Sequence, residues 1–276
     1  MGRPHYERLA SLSVAHLYNL RQHRRYRERR LSYVKTRPVQ IAIGERRRPD
    51  PQGRPGYLRV DTVHQGDLEG AKGVYHINAV DQVTQWQVMG CTAQIGEAWL
   101  LPVLEAMLEQ FPFRIRGFHS DNGSEFVNHT LARLLNKLLV EQTKSRPRHS
   151  NDNGLVETKN GAVIRKHMGY GHIAAPHAEA IGRFYREYLN PYVNFHRPCA
   201  QADIEMDAKG KQTRRYRRYQ TPLETLLTLE DPEPHLQPSV TLTGLQQQAT
   251  RQSDTQAARQ MQAAKQKLFA SFRRSA

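Results

Sequence analysis

Gly56-Tyr-Leu-Arg-Val-Asp-Thr-Val-His64 follows directly on a proline and brings together Tyr, Thr and two Val, side chains that favour a pleated strand. Asp61 stands in the middle of it. A carboxylate there is costly to desolvate unless a charged partner or a metal meets it. Two more strands are predicted over residues 73–80 and 84–91, with turn chemistry at 67–70 and 81–84 between them, so the three form an antiparallel meander. Trp99, Leu100, Val103, Leu104, Met107 and Leu108 recur at helical spacing and predict a helix over 95–110 that packs on this sheet. Residues 114–119 read as a fourth strand, 128–137 as a helix and 138–143 as a fifth strand. A polar loop over 144–153 then enters a helix starting near residue 154. The order βββαβαβα predicts an α/β fold, a mixed five-stranded sheet flanked by helices.

The chain has 276 residues, room for one or two domains, and its 41 Lys and Arg against 26 Asp and Glu leave a net charge of +15. The expected partner is a polyanion. Residues 1–56 hold fourteen of the cations and four of the acids, a local excess of +10, as a nucleic-acid-binding arm does. Within it, Ser13 is an N-cap candidate for a helix carrying Val14, Leu17 and Leu20, continued by Arg21, Arg24 and Arg25. This helix and the one predicted before it resemble the end of a helix-turn-helix that would lie in a major groove. The proline-rich run over 46–55 reads as a linker. The expected organisation is therefore a basic helical arm (1–55), a folded core (56–200) and a basic, Gln-rich extension (201–276).

Two cysteines, Cys91 and Cys199, without metal-ligand spacing argue against a disulfide scaffold or a structural zinc site and for a reducing compartment. No apolar run is long enough to span a membrane and no apolar leader is present, so a cytoplasmic protein is expected.

Three carboxylates stand out. Asp61 is mid-strand; Asp121 closes the fourth strand in His119-Ser-Asp-Asn-Gly-Ser-Glu-Phe126; Glu157 falls in the first turn of the last core helix in Asn151-Asp-Asn-Gly-Leu-Val-Glu-Thr-Lys-Asn160. Each alone has a plainer reading: a strand charge, a turn, a helix-surface acid. Together they fit a hard-oxygen site for magnesium or manganese, because the fourth strand can pair beside the first and the helix can swing Glu157 over both aspartates. Thirty-five residues separate Asp121 from Glu157.

These segments, with Thr143-Lys-Ser-Arg-Pro147, resemble the catalytic core of the DDE transposases and retroviral integrases, within the ribonuclease H-like polynucleotidyl transferases, and more narrowly bacterial insertion-sequence transposases. The match covers about residues 56–168, with family-like segments at Asn194-Phe-His-Arg-Pro-Cys199 and Thr221-Pro-Leu-Glu-Thr-Leu226 beyond. The resemblance implies a ribonuclease H-like sheet and two divalent ions, Mg2+ or Mn2+, held by Asp61, Asp121 and Glu157. It also implies cleavage and joining of double-stranded DNA at element ends and target, performed by a homo-multimer. A nuclease that only hydrolyses and an inactive DNA-binding remnant are the rival readings.

Around the acids, Asn122 and Gly123 are expected to shape the turn that aims Asp121. His119, two residues from Asp121 on the strand, points to the same side and is either a substrate contact or a structural residue. Asp152 is expected to cap the Glu157 helix rather than to bind metal. Lys144, Arg146 and Arg148 make the preceding loop a candidate DNA grip. Arg165 shares a helix face with Glu157, whereas Lys159 does not; both join the candidate contacts. Retroviral integrases carry lysines where this chain has Gly161 and Ile164, a departure from the pattern. Arg214 and Arg215, in Lys209-Gly-Lys-Gln-Thr-Arg-Arg-Tyr-Arg-Arg-Tyr219, belong to a run that suits backbone and base contact or a basic hairpin edge. Residues 246–272 carry Ala257, Met261, Ala264, Leu268 and Phe272 in one stripe, as a partner helix or self-association arm would.

Overall fold

A computed structural model describes residues 12–29, 31, 43–121, 126, 129–146, 152–206 and 212–273. The meander forms as expected: β2 (Tyr57–His64), β3 (Tyr75–Asp81) and β4 (Gln87–Thr92) pair antiparallel in sequence order. Strands β5 (Gly117–Ser120) and β6 (Glu141–Lys144) join parallel to β2 and to one another. The segment read as linker adds β1 (Glu45–Arg46), parallel to β6, so the sheet has six strands instead of five, in the order β1-β6-β5-β2-β3-β4. The meander's first strand takes β5 as its parallel neighbour and β5 in turn takes β6, each reached through a helix, which is the ribonuclease H-like order.

Alternation along β2 divides its side chains between two cores. Leu58 and Val60 face α3 (Glu97–Leu108) and α4 (His129–Lys137), together with Phe118, Leu104 and Leu135. Val63 faces the other layer, with Val163, Ile164 and Tyr185. Arg59 and Asp61 belong to that second face, beneath α5 (Gly154–Lys159), which packs on β2 and β3. The entry to β2 requires Gly56, whose φ is +105° and where a Cβ would run into the Arg114 carbonyl. Asp81 closes the β3–β4 turn and ties it to this entry, its buried carboxylate accepting from Thr84 N at 2.7 Å and Gly56 N at 2.7 Å.

After α5 the chain runs through a π-helical turn (Asn160–Arg165) into α6 (Lys166–Met168), then α7 (Ala178–Phe184) and two further π-helical turns, Tyr185–Leu189 and Tyr192–His196. Strand β4 is a sheet edge, and its outer backbone groups are met by two amides one helical turn apart. Asn190 bonds both the N–H and the C=O of Met89, and Asn194 does the same for Gln87. Two side chains thus stand in for a seventh strand.

Strands β7 (Cys199–Met206) and β8 (Gln212–Gln220) form a separate hairpin, and the tyrosine–arginine run lies on its second strand. Helix α8 (Pro222–Leu227), opened by a Thr221 capping box, and α9 (Leu242–Thr250) add Leu223, Leu226 and Leu245 to the first core. The stripe expected to face a partner sits on α10 (Asp254–Phe272) and packs inward, with Ala257, Met261 and Leu268 buried against α7 and the π-helical turns after it. At the other end, α1 (Val14–Gln22) and α2 (Arg24–Arg29) bury nothing: Val14 is 69% and Leu17 46% exposed. The helix predicted before them lies outside the described residues.

Asn194→Ala strands two buried backbone groups of β4, and urea denaturation should register a loss of about 1–3 kcal/mol. An unchanged midpoint would mean that water replaces the amide and that the edge is not sealed by Asn194.

Candidate active site

Parallel register sets the first two acids. Val60 pairs with Ser120, so one residue further along Asp61 comes opposite Asp121, which follows the end of β5. Adjacent strands lie about 4.8 Å apart, so carboxylates at matched positions share one face. Asp61 is half-buried and its carboxylate is fixed from two sides. The Thr62 N–H donates to Oδ1 at 2.8 Å and Asn160 Nδ2 donates to Oδ2 at 2.7 Å. Burial, then the charge of Asp121 and more weakly that of Glu157, outweigh these donors and push the Asp61 carboxyl up to about 7.

Glu157 lies in the first turn of α5 with its side chain exposed. The start of this helix is bolted to the strand that carries Asp61. Buried Arg59 donates through Nη1 to the Asp152 carbonyl, and Asn153 Nδ2 donates to the Val60 carbonyl at 3.3 Å. Burial, then the nearby Arg48, lower the Arg59 guanidinium to about 10, against the pull of Asp152. Asp152 does not cap α5 with its side chain. Its carboxylate takes Arg146 Nη2 at 2.8 Å, Arg146 Nε at 2.9 Å and the Arg146 N–H at 3.1 Å, and these bonds hold it well below the usual carboxylate range. The pair ties the strand that leaves β6 to the entry of α5.

Among the described residues, no set of three or more His, Cys, Asp and Glu side chains is disposed to hold a metal ion as the side chains stand. Asp61 and Asp121 are electrostatic neighbours, and Glu157 acts on Asp61 more weakly. The donor chemistry of the three fits a hard divalent cation: all the oxygens are carboxylate, and Asp61 is driven toward its neutral form by burial first and by its acidic neighbours after it.

His119 is structural here. It is buried, with Nδ1 2.9 Å from Thr143 Oγ1 and Nε2 3.2 Å from Ser145 Oγ, and desolvation first, then Arg59, lower it to about 3. It ties β5 to β6 as a neutral ring. Asn122, Gly123 and Arg148 lie outside the described residues.

Several cations expected on DNA are built into the fold instead. Lys159 is buried, with Nζ 2.9 Å from Cys199 Sγ. Arg165 reaches Gln65 Oε1 and the His64 carbonyl, both at 3.0 Å, and lies over the Tyr170 ring. Lys144 is buried at the end of β6, its ammonium lowered by desolvation and by Arg46. Arg146 is held by Asp152 but remains 41% exposed. Arg21, Arg24 and Arg25 lie on exposed helices, and Arg215 and Arg217 share Glu205 on the hairpin while staying exposed.

Sequence reasoning missed Arg59, Asn153 and Asn160. The signals were present: Arg59 is two residues from Asp61 on one strand face, and Asn160 is one helical turn after Glu157.

No known protein family's sequence profile matches the chain. An uncharacterized protein of Sinorhizobium fredii, y4rM, is 29% identical over 164 residues, which cover 59% of this chain and 47% of that protein. The chain thus spans about half the length of this relative. Among solved structures, the simian T-cell lymphotropic virus intasome in complex with PP2A regulatory subunit B56 gamma matches at 18% identity and a TM-score of 0.37, covering 59% of this chain and 55% of that one. The catalytic core domain of BIV integrase matches at 16% identity and a TM-score of 0.34, over 42% of this chain and 70% of that one. No described helix is long and apolar enough to cross a membrane.

The raised Asp61 carboxyl has a thermodynamic sign. Its folded value, about 7, lies above the ordinary 3.8, so the native state holds a proton that the unfolded chain releases. Native stability therefore falls as pH rises from about 4 to about 7, by at most about 4 kcal/mol for a shift of this size. In EDTA, Asp61→Asn should melt above the parent at pH 7.5, with the difference vanishing near pH 4. A gap independent of pH would show that Asp61 ionises normally. For His119, the imidazole proton resonances should stay fixed between pH 5 and 8; titration there would return it to the candidate substrate contacts.

Proposed function

We propose that the protein is a divalent-metal-dependent polynucleotidyl transferase that cuts DNA ends and joins them to target DNA, as a transposase or integrase does. The observation that carries this reading is the β2–β5 register that sets Asp61 and Asp121 side by side at the end of two parallel strands, with the Glu157 helix bolted to the first of them. Asp61, Asp121 and Glu157 are the proposed catalytic and metal-holding residues. Two Mg2+ or Mn2+ ions bound there would favour deprotonation of a water or 3′-hydroxyl and offset charge on the departing 3′-oxygen. The chain's own part is to hold carboxylate oxygens at fixed positions on rigid elements and to bring the phosphodiester to them.

The net charge of +15 supports DNA as the partner. With Lys159 and Arg165 engaged internally, DNA binding is assigned to the exposed arm at Arg21, Arg24 and Arg25 and to the hairpin at Arg214 and Arg215. A duplex groove admits a two-stranded ribbon. Cutting and joining paired ends calls for more than one copy, so the working form is proposed to be a homo-multimer.

Full-length protein incubated with Mn2+, supercoiled plasmid and a labelled duplex bearing a free 3′-hydroxyl should transfer label to the plasmid. Asp61→Asn, Asp121→Asn and Glu157→Gln should each lower joining by roughly 100-fold or more while still melting cooperatively at or above the parent's temperature. Full activity in any of the three removes that residue from the site, and nicking without any joined product assigns the hydrolysis-only reading. Replacing Arg214 and Arg215 together by Ala should weaken duplex binding and flatten its dependence on log salt by about 0.9 for each phosphate no longer neutralised. An unchanged slope takes the hairpin off the DNA.

A further inference from the structure

Four polar side chains form one line across the second face of the sheet, beneath α5. Gln87 Nε2 donates to Asn78 Oδ1 at 2.8 Å, Asn78 Nδ2 donates to Asn160 Oδ1 at 2.8 Å, and Asn160 Nδ2 donates to Asp61 Oδ2 at 2.7 Å. We propose that Asn160 is a positioning residue for Asp61, held in its donor orientation by the buried amide chain through Asn78 and Gln87. The part of this that concerns catalysis rests on the metal-dependent reading of the Asp61 site.

In its ionised form, the one a cation would meet, the Asp61 carboxylate only accepts, so Asn160 must offer it the NH2 end of its amide. Its oxygen is then left for Asn78, and the oxygen of Asn78 for Gln87, so every link fixes the orientation of the next. Turning any one amide around sets donor against donor or acceptor against acceptor. Asn78 is fully buried and Gln87 nearly so, which keeps water from repairing a reversed link. The far end is also fixed, because the Gln87 backbone N–H and C=O are both taken by Asn194 at 2.8 and 2.7 Å. The chain therefore runs from the sealed edge of the sheet to the acid.

The near end does two things. With the Thr62 N–H on Oδ1, it fixes the plane of the Asp61 carboxylate and leaves each oxygen lone-pair directions free of these donors. It also links two of the three acids mechanically. Asn160 lies three residues after Glu157 on the same helical face and begins the π-helical turn, so the helix that carries Glu157 is pinned to Asp61 at the point where its winding changes. Asp61 and Asn78 are directly paired on β2 and β3, which leaves the chain no slack.

Two measurements on full-length variants test this. In EDTA, Asn160→Ala should lower Tm, and the drop should shrink clearly in an Asp61→Ala background, because the hydrogen bond is then already absent. With Mn2+ as probe, followed by electron paramagnetic resonance, Asn160→Ala should raise the half-saturating concentration by roughly 10–100-fold. Gln87→Met, which reaches Asp61 only through the chain, should raise it by a smaller factor while the protein melts cooperatively. Asn160→Asp, near-identical in shape but without the NH2 donor, covers the case in which the alanine variant does not fold, and it should also lose the thermal coupling. Wild-type Mn2+ affinity in both Asn160 variants, or an equal Tm cost with and without the Asp61 carboxylate, overturns the proposal. Wild-type protein that binds no Mn2+ overturns the metal reading of the site, and with it the catalytic part of the proposal, even where the thermal coupling persists.

Discussion

The parallel pairing of β2 with β5 brings Asp61 and Asp121 to matched positions and half-buries the first of them. Two like charges about 4 Å apart repel by about 1 kcal/mol in water and about 4 kcal/mol at the effective dielectric of a protein surface, and burial adds a desolvation cost. A fold keeps such a pair only when neighbouring elements leave neither acid room to move away. Here Arg59 and Asn153 hold the start of α5 to β2 on either side of Val60, while Thr62 and Asn160 hold the carboxylate itself. On the proposed reading, a bound cation is what would relieve this repulsion, which the fold supports from several directions.

The same constraint accounts for the division of the positive charge. Arg59, Lys144, Lys159 and Arg165 flank the acids in sequence, and all four are turned inward to carbonyls, amides, a thiol or a buried strand end. A long cationic side chain can bury its stem and still satisfy several donors, so it is well suited to fastening a helix onto a sheet. The exposed positive charge lies further out, on α1, α2 and the β7–β8 hairpin. Net charge indicates a polyanionic partner and does not say which arginines meet it.

What was legible in the sequence follows from the physics of each signal. Strands β2 to β6 announced themselves through period-two composition and turn residues, and α3 through a 3.6-residue stripe. The helix before the candidate site was placed to within a residue of its start. The pair Glu45–Arg46 carries no strand signal, since two polar residues gain their conformation only from the neighbour they pair with. Asp61, Asp121 and Glu157 stood out because their element types and spacing limit where they can meet, and the register sets the first two at matched positions. The residues holding them were not, because Arg59, Asn78 and Asn160 are ordinary polar side chains until the register of three strands is known. Lys159 and Arg165 misled for the same reason: periodicity gives a helix face but not what covers it, and the π-helical turn after Lys159 alters the facing of every later residue.

The C-terminal helix shows how an apolar stripe changes meaning with context. Ala257, Met261 and Leu268 would suit a second copy of the chain as well as they suit its own core, and only the fold distinguishes the two. In this protein α10 packs on α7 and on the π-helical turns that follow it, and its first residue, Asp254, meets buried His196 through Nδ1 at 2.9 Å. Those turns are flanked by and include Asn190 and Asn194, the two amides that seal β4, and Gln87 on β4 begins the chain that ends at Asp61. A helix far from the acids in sequence thus forms the outer wall of the layer that fixes one of them. Packing against that wall is what allows two asparagines to replace a strand, because an amide can complete a backbone ladder only when its own helix cannot draw back from the sheet.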